Sequence, residues 1–400
     1  MMMENNKLQP WQQYQALYLH IPFCVQKCLY CDFASYAGFG EQTQRAYTYA
    51  VCREIALRAA EAANMAADAS VYFGGGTPSV LPTECIAQLV HALKQHGFWQ
   101  QPCEATIEVN PGTADLAKLQ VMRQLGFDRI SFGVQSLQDN ELQAIGRIHN
   151  AQQALEALQL AKAAGFKRIS ADLIYGLPSQ TMASLQDTLE RLADTGIEHI
   201  SVYGLIVEEG TPLASLVDKG KIILPDEDTA ADMYELVQDF LRERGFERYE
   251  ISNYAKNGQY SRHNTVYWEY RPYMAFGAAA CGFDGQRRRT GVSTVRKYIE
   301  QLEAFGGEDL RASALYNVEE LSSAELLEEF MFMGLRRSEG ASLAEARERF
   351  GVDVLQRFAC ELAPLFEQKL IAYDASTQRL RLTERGMEVG NQIFEVFVIS

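Results

Sequence analysis

The amino-acid sequence predicts an α/β protein, a core of repeated βα units with a smaller α+β module behind it. Two observations carry this prediction. Short β-like runs alternate with amphipathic helical stretches across residues 1–245, and the rhythm stops near Gly245. From Ser322 the pattern turns helical again and closes with a hairpin and a last helix. Strands that alternate with helices lie parallel, because each return to the same end of a sheet needs a crossover connection.

The β-like runs fall at 16–20, 70–73, 105–109, 129–133, 168–174 and 199–205. Helical periodicity occupies 43–62, 83–95, 114–125, 151–164 and 184–194, and a further stretch at 227–244 follows the last strand. Six such units suit either a partial barrel or an open doubly wound sheet, and periodicity does not separate the two. Residues 246–320 form a second region, irregular and β-rich, with many Tyr, Gly and Arg. The third region, 321–400, has helical patterns at 325–335, 342–350 and 354–369, a hairpin at 370–373 and 380–382, and a helix at 384–394. That order resembles a winged-helix module. Such modules often bind DNA, but the acidic chain favours a structural or protein-contact role.

A chain of 400 residues can bury a full-sized core and a second, smaller one. Hydrophobic residues at 47% and charged residues at 22% are ordinary for a soluble globular protein. No run approaches the ~20 apolar residues of a membrane span. The N-terminal stretch has neither the basic patch nor the apolar run of a secretory leader. The expected location is the cytoplasm, with peripheral contact at the inner membrane face as a further expectation. A net charge of -15 speaks against nucleic acid as a partner, since phosphate binding needs clustered Lys and Arg. The one basic run, Arg287-Arg288-Arg289, reads as a solvated turn, although a positive patch attracts anionic ligands such as a propionate.

Of eight cysteines, five are scattered among apolar neighbours, while Cys24, Cys28 and Cys31 share one short segment behind the first strand. In a reducing compartment such crowding favours metal over disulfides. Spacings of four and three let a single loop wrap its thiolates around a compact iron–sulfur cluster. Zinc and simple packing are the competing readings. Zinc needs a fourth ligand, and the nearby His20 sits on the strand.

Polar and glycine-rich segments recur where later strands end. Tyr72-Phe73-Gly74-Gly75-Gly76-Thr77-Pro78 closes the second strand, and consecutive glycines allow positive φ and close approach of a ligand. Glu108 marks the third strand, Gln135 the fourth, Arg147 the segment after it, and Asp172 the fifth. Ligands of parallel α/β folds bind at the C-terminal ends of strands, so these residues point to one mouth.

The C-x3-C-x2-C spacing after the first strand, with these motifs, resembles the radical S-adenosylmethionine (SAM) superfamily, and in particular its coproporphyrinogen III oxidase-like branch. The resemblance runs from Tyr18 to the C-terminal module. It implies an incomplete (β/α)6 barrel, and a 4Fe–4S cluster on Cys24, Cys28 and Cys31 with one iron left open to SAM. It further implies SAM contacts from Tyr18, Tyr30, Gly75, Gly76, Thr77, Glu108, Gln135, Arg147 and Asp172. The chemistry implied is one-electron cleavage of the sulfonium carbon–sulfur bond, fed by an electron donor of flavodoxin or ferredoxin type.

Two features divide that branch. Oxidases of the branch carry a further Cys two positions after the third, where this chain has Phe33. Arg262-His263-Asn264-Thr265-Val266-Tyr267-Trp268 resembles the H-N-x-x-Y-W motif of the HemW heme-chaperone subgroup, in which the histidine is linked to heme. An imidazole can serve as an axial iron ligand, and Tyr267 and Trp268 offer flat apolar faces. Read without the family, the same histidine is a hydrogen-bonded structural residue. The resemblance therefore implies a chaperone that binds heme, with His263 as ligand, and delivers it to apo-hemoproteins. The competing expectation is oxidative decarboxylation of coproporphyrinogen III.

Overall fold

The computed structural model describes residues 9–307, 309–310 and 313–398. Residues 1–8, on which the expectation of no secretory leader partly rests, lie outside the described residues. Six parallel strands form the centre: β1 (Tyr14–Ile21), β2 (Met65–Gly75), β3 (Ala105–Val109), β4 (Arg129–Gln135), β5 (Arg168–Tyr175) and β6 (His199–Gly204). Helices Glu41–Leu57, Thr83–Gln95, Leu116–Leu125, Ala151–Ala163 and Met182–Asp194 link them, and Glu227–Glu243 follows β6. In β1, Ala16, Leu17, Leu19 and Ile21 are all buried, as expected of a parallel strand covered on both faces.

The helix ends follow from the local chemistry. Asp115 accepts the backbone N–H of Lys118, and Asn150 and Thr181 each form a capping box with the third residue of their helix. Gly126, at φ 116°, closes the helix Leu116–Leu125, and the next residue, Phe127, drops into the core. The helix expected over 43–62 stops at Leu57. There Arg58 turns inward to Glu54 (3.0 Å), Glu61 (2.9 Å) and the carbonyl of Ala275 (2.8 Å), and a 3-10 helix Ala59–Asn64 follows. A buried guanidinium has to be met by such partners, and meeting them breaks the helical path.

Residues 246–320 extend both flanks of the same sheet. β8 (Asn253–Ala255) pairs antiparallel with β6, and β7 (Glu247–Glu250) pairs antiparallel with β8 at the sheet's edge. The chain then crosses on a short helix, Arg262–Trp268, and β9 (Tyr273–Phe276) pairs parallel with β1. β10 (Cys281–Phe283), β11 (Arg287–Gly291) and β12 (Tyr316–Glu320) continue antiparallel. The order is β12-β11-β10-β9-β1-β2-β3-β4-β5-β6-β8-β7, and its two edges do not meet: the barrel is incomplete. The basic run is a strand here, not the turn expected. Arg287 pairs with Glu320 (3.1 Å) and Arg289 with Asp284 (3.1 Å), so acidic partners across the ladder draw the run into the sheet.

The C-terminal module has the winged-helix order. Helices Ser323–Leu335 and Leu343–Phe350 flank the short strand Ala341–Ser342, which pairs with Arg379–Leu382, itself paired with Ile371–Asp374. The helix expected over 354–369 breaks at Phe358, whose ring is buried, into Val354–Arg357 and Ala359–Glu367. The module's apolar core also takes in Tyr270 and Phe283 from the sheet side. Ion pairs Arg336–Glu250 (2.6 Å) and Arg337–Glu269 (3.2 Å) hold the segment 325–340 against the barrel. No helix among the described residues is long and apolar enough to cross a membrane.

Candidate functional site

β1 delivers the chain to Pro22 and Phe23, and the loop that follows carries the three cysteines. Phe23 is buried and packs edge-on against Phe39 and Tyr47 (5.8 and 5.2 Å), while Phe23–Cys24 pairs with Tyr36–Ala37 and closes the loop. Cys24, Cys28 and Cys31 are half-buried and line one cavity of about 140 Å³. Thr77 Oγ1 donates to Cys24 Sγ (3.6 Å), Arg147 Nη1 donates to Cys28 Sγ (3.4 Å), and Ser35 shares a hydrogen bond with Cys31 (3.5 Å). Burial pushes the Cys24 thiol up, against the pull of Thr77 and Ser35.

Three thiols on one loop are a donor set that an iron–sulfur cluster can take, whereas zinc requires a fourth ligand. His20 is no fourth ligand. Its Nε2 donates to the carbonyl of Ala34 (3.0 Å), which leaves Nδ1 to accept from Tyr18 Oη (2.9 Å).

Eight of the nine residues expected to contact SAM line this same cavity: Tyr30, Gly75, Gly76, Thr77, Glu108, Gln135, Arg147 and Asp172. Tyr18 stands apart, in the wall of a neighbouring cavity beside His20. Gly75 has φ 114°, and a Cβ there would meet the His20 ring at 2.4 Å, so no other residue fits. Its N–H donates to Glu108 Oε2 (3.0 Å), and Tyr72 Oη donates to Glu108 Oε1 (2.7 Å). Burial lifts the Glu108 carboxyl to about 7 and raises Asp172 as well. Gln135 is held at φ 66°, a backbone conformation that side chains rarely adopt and that clusters at binding sites.

Asn110 is a residue that the sequence reading did not single out. Its Nδ2 donates to Thr77 Oγ1 (2.7 Å), and its Oδ1 accepts from Arg147 Nη2 (2.8 Å). It thus ties the residues beside Cys24 and Cys28 to each other. The available signal was its place in Asn110-Pro111-Gly112, directly after a strand.

His263 lies on the helix Arg262–Trp268, whose first amides donate to Glu104, from Arg262 (3.0 Å) and His263 (3.1 Å). Glu104 is buried and also paired with Arg168 (2.7 Å). The His263 ring stacks on Tyr72 (4.8 Å), and both of its nitrogens are engaged, Nδ1 with Ser70 (2.9 Å) and Nε2 with Tyr267 (2.8 Å). Burial drives its pKa down to about 3. In this state His263 is a neutral, hydrogen-bonded ring with no lone pair open to iron.

Two larger cavities adjoin the cysteine loop, one of about 560 Å³ inside the barrel and one of about 660 Å³ between the sheet and the C-terminal module. His263 and Asn264 line the first, Trp268 and Cys281 the second, and Tyr267 both. Phe33 also lines both and is 70% exposed at their mouth.

Comparison with known proteins gives the same outline. Residues 18–192 match the radical SAM superfamily, and residues 321–389 match the HemN C-terminal domain. The chain is 33% identical to the heme chaperone HemW of Lactococcus lactis, over 97% of this chain and 98% of that protein. It is 35% identical to the heme chaperone HemW of Bacillus subtilis, over 96% and 99%. Its fold is similar to that of coproporphyrinogen III oxidase (HemN) from Escherichia coli, with a TM-score of 0.82 at 23% identity, covering 98% of this chain and 91% of that one.

Proposed function

The chain belongs to the HemW heme-chaperone family of the radical SAM superfamily, and from that membership we propose that it binds heme and hands it to apo-hemoproteins. The observation that carries this reading is identity with named heme chaperones over nearly the full length of both partners. In this reading Cys24, Cys28 and Cys31 hold a 4Fe–4S cluster, and the strand-end residues around Gly75, Glu108 and Arg147 hold SAM. When bound and reduced, such a cluster supplies one electron for cleavage of SAM.

The chain's own residues have definable tasks. Arg147 sets a positive charge against the cysteine loop, and Asn110 fixes its direction. Glu108 anchors the amide of Gly75 and so keeps the glycine turn open toward the cysteines. Phe33 puts a phenyl ring at the shared mouth, where a thiol would offer a proton and a nucleophile. His263 is the candidate iron ligand of this family reading, and Tyr267 has to release Nε2 before it can serve. The acceptors are apo-hemoproteins of the cytoplasm or of the inner membrane face, and the electron donor is of flavodoxin or ferredoxin type.

Hemin titration of the purified protein, alongside His263→Ala, tests the reading. The native chain is expected to bind hemin, and the variant to bind it more weakly with a shifted Soret band. Identical affinity and spectrum in the variant remove His263 as the ligand. No binding by the native chain removes the chaperone function itself.

A further inference from the structure

The two larger cavities differ in charge. The barrel cavity is lined by Asp32, Glu108, Asp172 and Glu208 against Arg129 alone. The cleft between the sheet and the C-terminal module has the opposite balance, with Arg271, Arg288 and Arg336 against Glu108 and Glu329. A sulfonium is a cation, and a porphyrin with two propionates is a dianion. Carboxylates leaving water need guanidinium partners, and buried acids repel them.

From this sorting we propose that the cleft between the sheet and the C-terminal module is the porphyrin site, with the propionates on Arg288 and Arg336. The proposal rests on the heme-binding reading above but not on His263 as the ligand: His263 lines the barrel cavity, and Tyr267, which lines both cavities, bonds its Nε2. The walls suit a flat macrocycle: Tyr267, Trp268, Tyr273, Phe283 and Phe332 all face the cleft.

The arginines are held in place from behind. Arg336 is paired with Glu250 (2.6 Å), Arg271 with Glu345 (3.0 Å), and Arg288 with Glu319 (3.5 Å), and none of these three carboxylates lines the cleft. Arg288 is held from both sides, since Glu329, which lines the cleft as Glu108 does, bonds Arg288 and Tyr270 from within it. A guanidinium has five N–H donors, so the one carboxylate on Arg336 and the two on Arg288 leave others for a ligand. Oriented, half-buried guanidiniums lose little freedom on binding.

The inference also gives the C-terminal module a task. Phe332, Met333 and Arg336, all on or next to its first helix, form one wall, and the cleft exists only when the module is docked. The basic run, through Arg288, supplies part of the lining from the sheet.

The test uses the full-length protein with its cluster reconstituted, and compares hemin, metal-free protoporphyrin IX and protoporphyrin IX dimethyl ester. The ester is expected to bind the native chain at least about tenfold more weakly than the free acid, since it forfeits charge-assisted bonds. Arg288→Gln/Arg336→Gln is expected to weaken the free acid by a similar factor and to leave the ester unchanged, with SAM binding retained and the thermal midpoint lowered, because Arg336 also pairs the buried Glu250. A double variant that still binds SAM, and binds the free acid as the native chain does, overturns the cleft assignment. Equal affinity of acid and ester for the native chain overturns it without any variant. Failure of the native chain to bind hemin and protoporphyrin alike overturns the heme reading on which it rests, a result distinct from the other two.

Discussion

Gly75 shows how much a single position can carry. Its φ of 114° and its contact with the His20 ring leave no room for a side chain, and its amide is the donor that meets Glu108. Gly75→Ala is expected to lower stability by about 1–3 kcal/mol, the range for a side chain forced into a strained backbone region. It is also expected to weaken SAM binding, because the His20 ring or the glycine turn itself must shift to admit the Cβ. Denaturant unfolding and equilibrium SAM binding check this, and native values for both would show that the turn relaxes freely. His263 teaches the complementary lesson. The motif around it was legible in sequence, but its ring nitrogens are spent on Ser70, on the distant strand β2, and on Tyr267, four positions along its own helix.

At the scale of the element, the helix Arg262–Trp268 is too short to be stable alone. Ser261 caps it, and Glu104, on a loop entering β3, receives its first amides. Desolvation works against the Glu104 carboxylate, but Arg129, Arg168 and the two amides outweigh it and hold its pKa below the usual value. Glu104→Gln removes the charge that these arginines face, which leaves buried cations uncompensated. A loss of about 3–5 kcal/mol is expected, with faster hydrogen exchange in the amides of residues 262–268. Unchanged exchange there would mean that Ser261 and packing suffice. The motif segment was read as irregular because seven residues hold too few turns for helical periodicity to register. The long central helices, by contrast, were readable to within a few residues.

Across the whole molecule, buried imidazoles dominate the expected acid response. Burial is the leading cause in each case: His149 falls to about 4, His263 to about 3, and His199 and His20 also shift down. Between about pH 6.5 and 4 the unfolded chain therefore takes up protons that the folded chain refuses. Their contribution to stability is complete above the unfolded pKa and is lost as the pH falls. Glu108 and Asp172, raised by burial, act in the opposite sense and soften the loss, but they are fewer. The thermal midpoint is expected to drop from pH 7 to pH 5. A midpoint that holds or rises would show that these imidazoles protonate in the folded state.

The α/β class, the six parallel units, the winged-helix order, the cysteine loop and the strand-end residues were all readable from the chain alone. Each depends on local periodicity, or on side chains a few positions apart, and such features survive without knowledge of tertiary contacts. Only the folded chain decided the rest: which strands flank the incomplete barrel that the resemblance implied, that Tyr18 stands outside the cavity shared by its expected partners, and that the arginine run is a strand facing a cleft. It also decided that His20 and His263 have no free nitrogen. These facts depend on which strands pair and on what packs across the sheet. Residues such as Ser70 and His263, or Arg288 and Glu329, meet only through that register, and nothing in their own neighbourhoods announces the meeting.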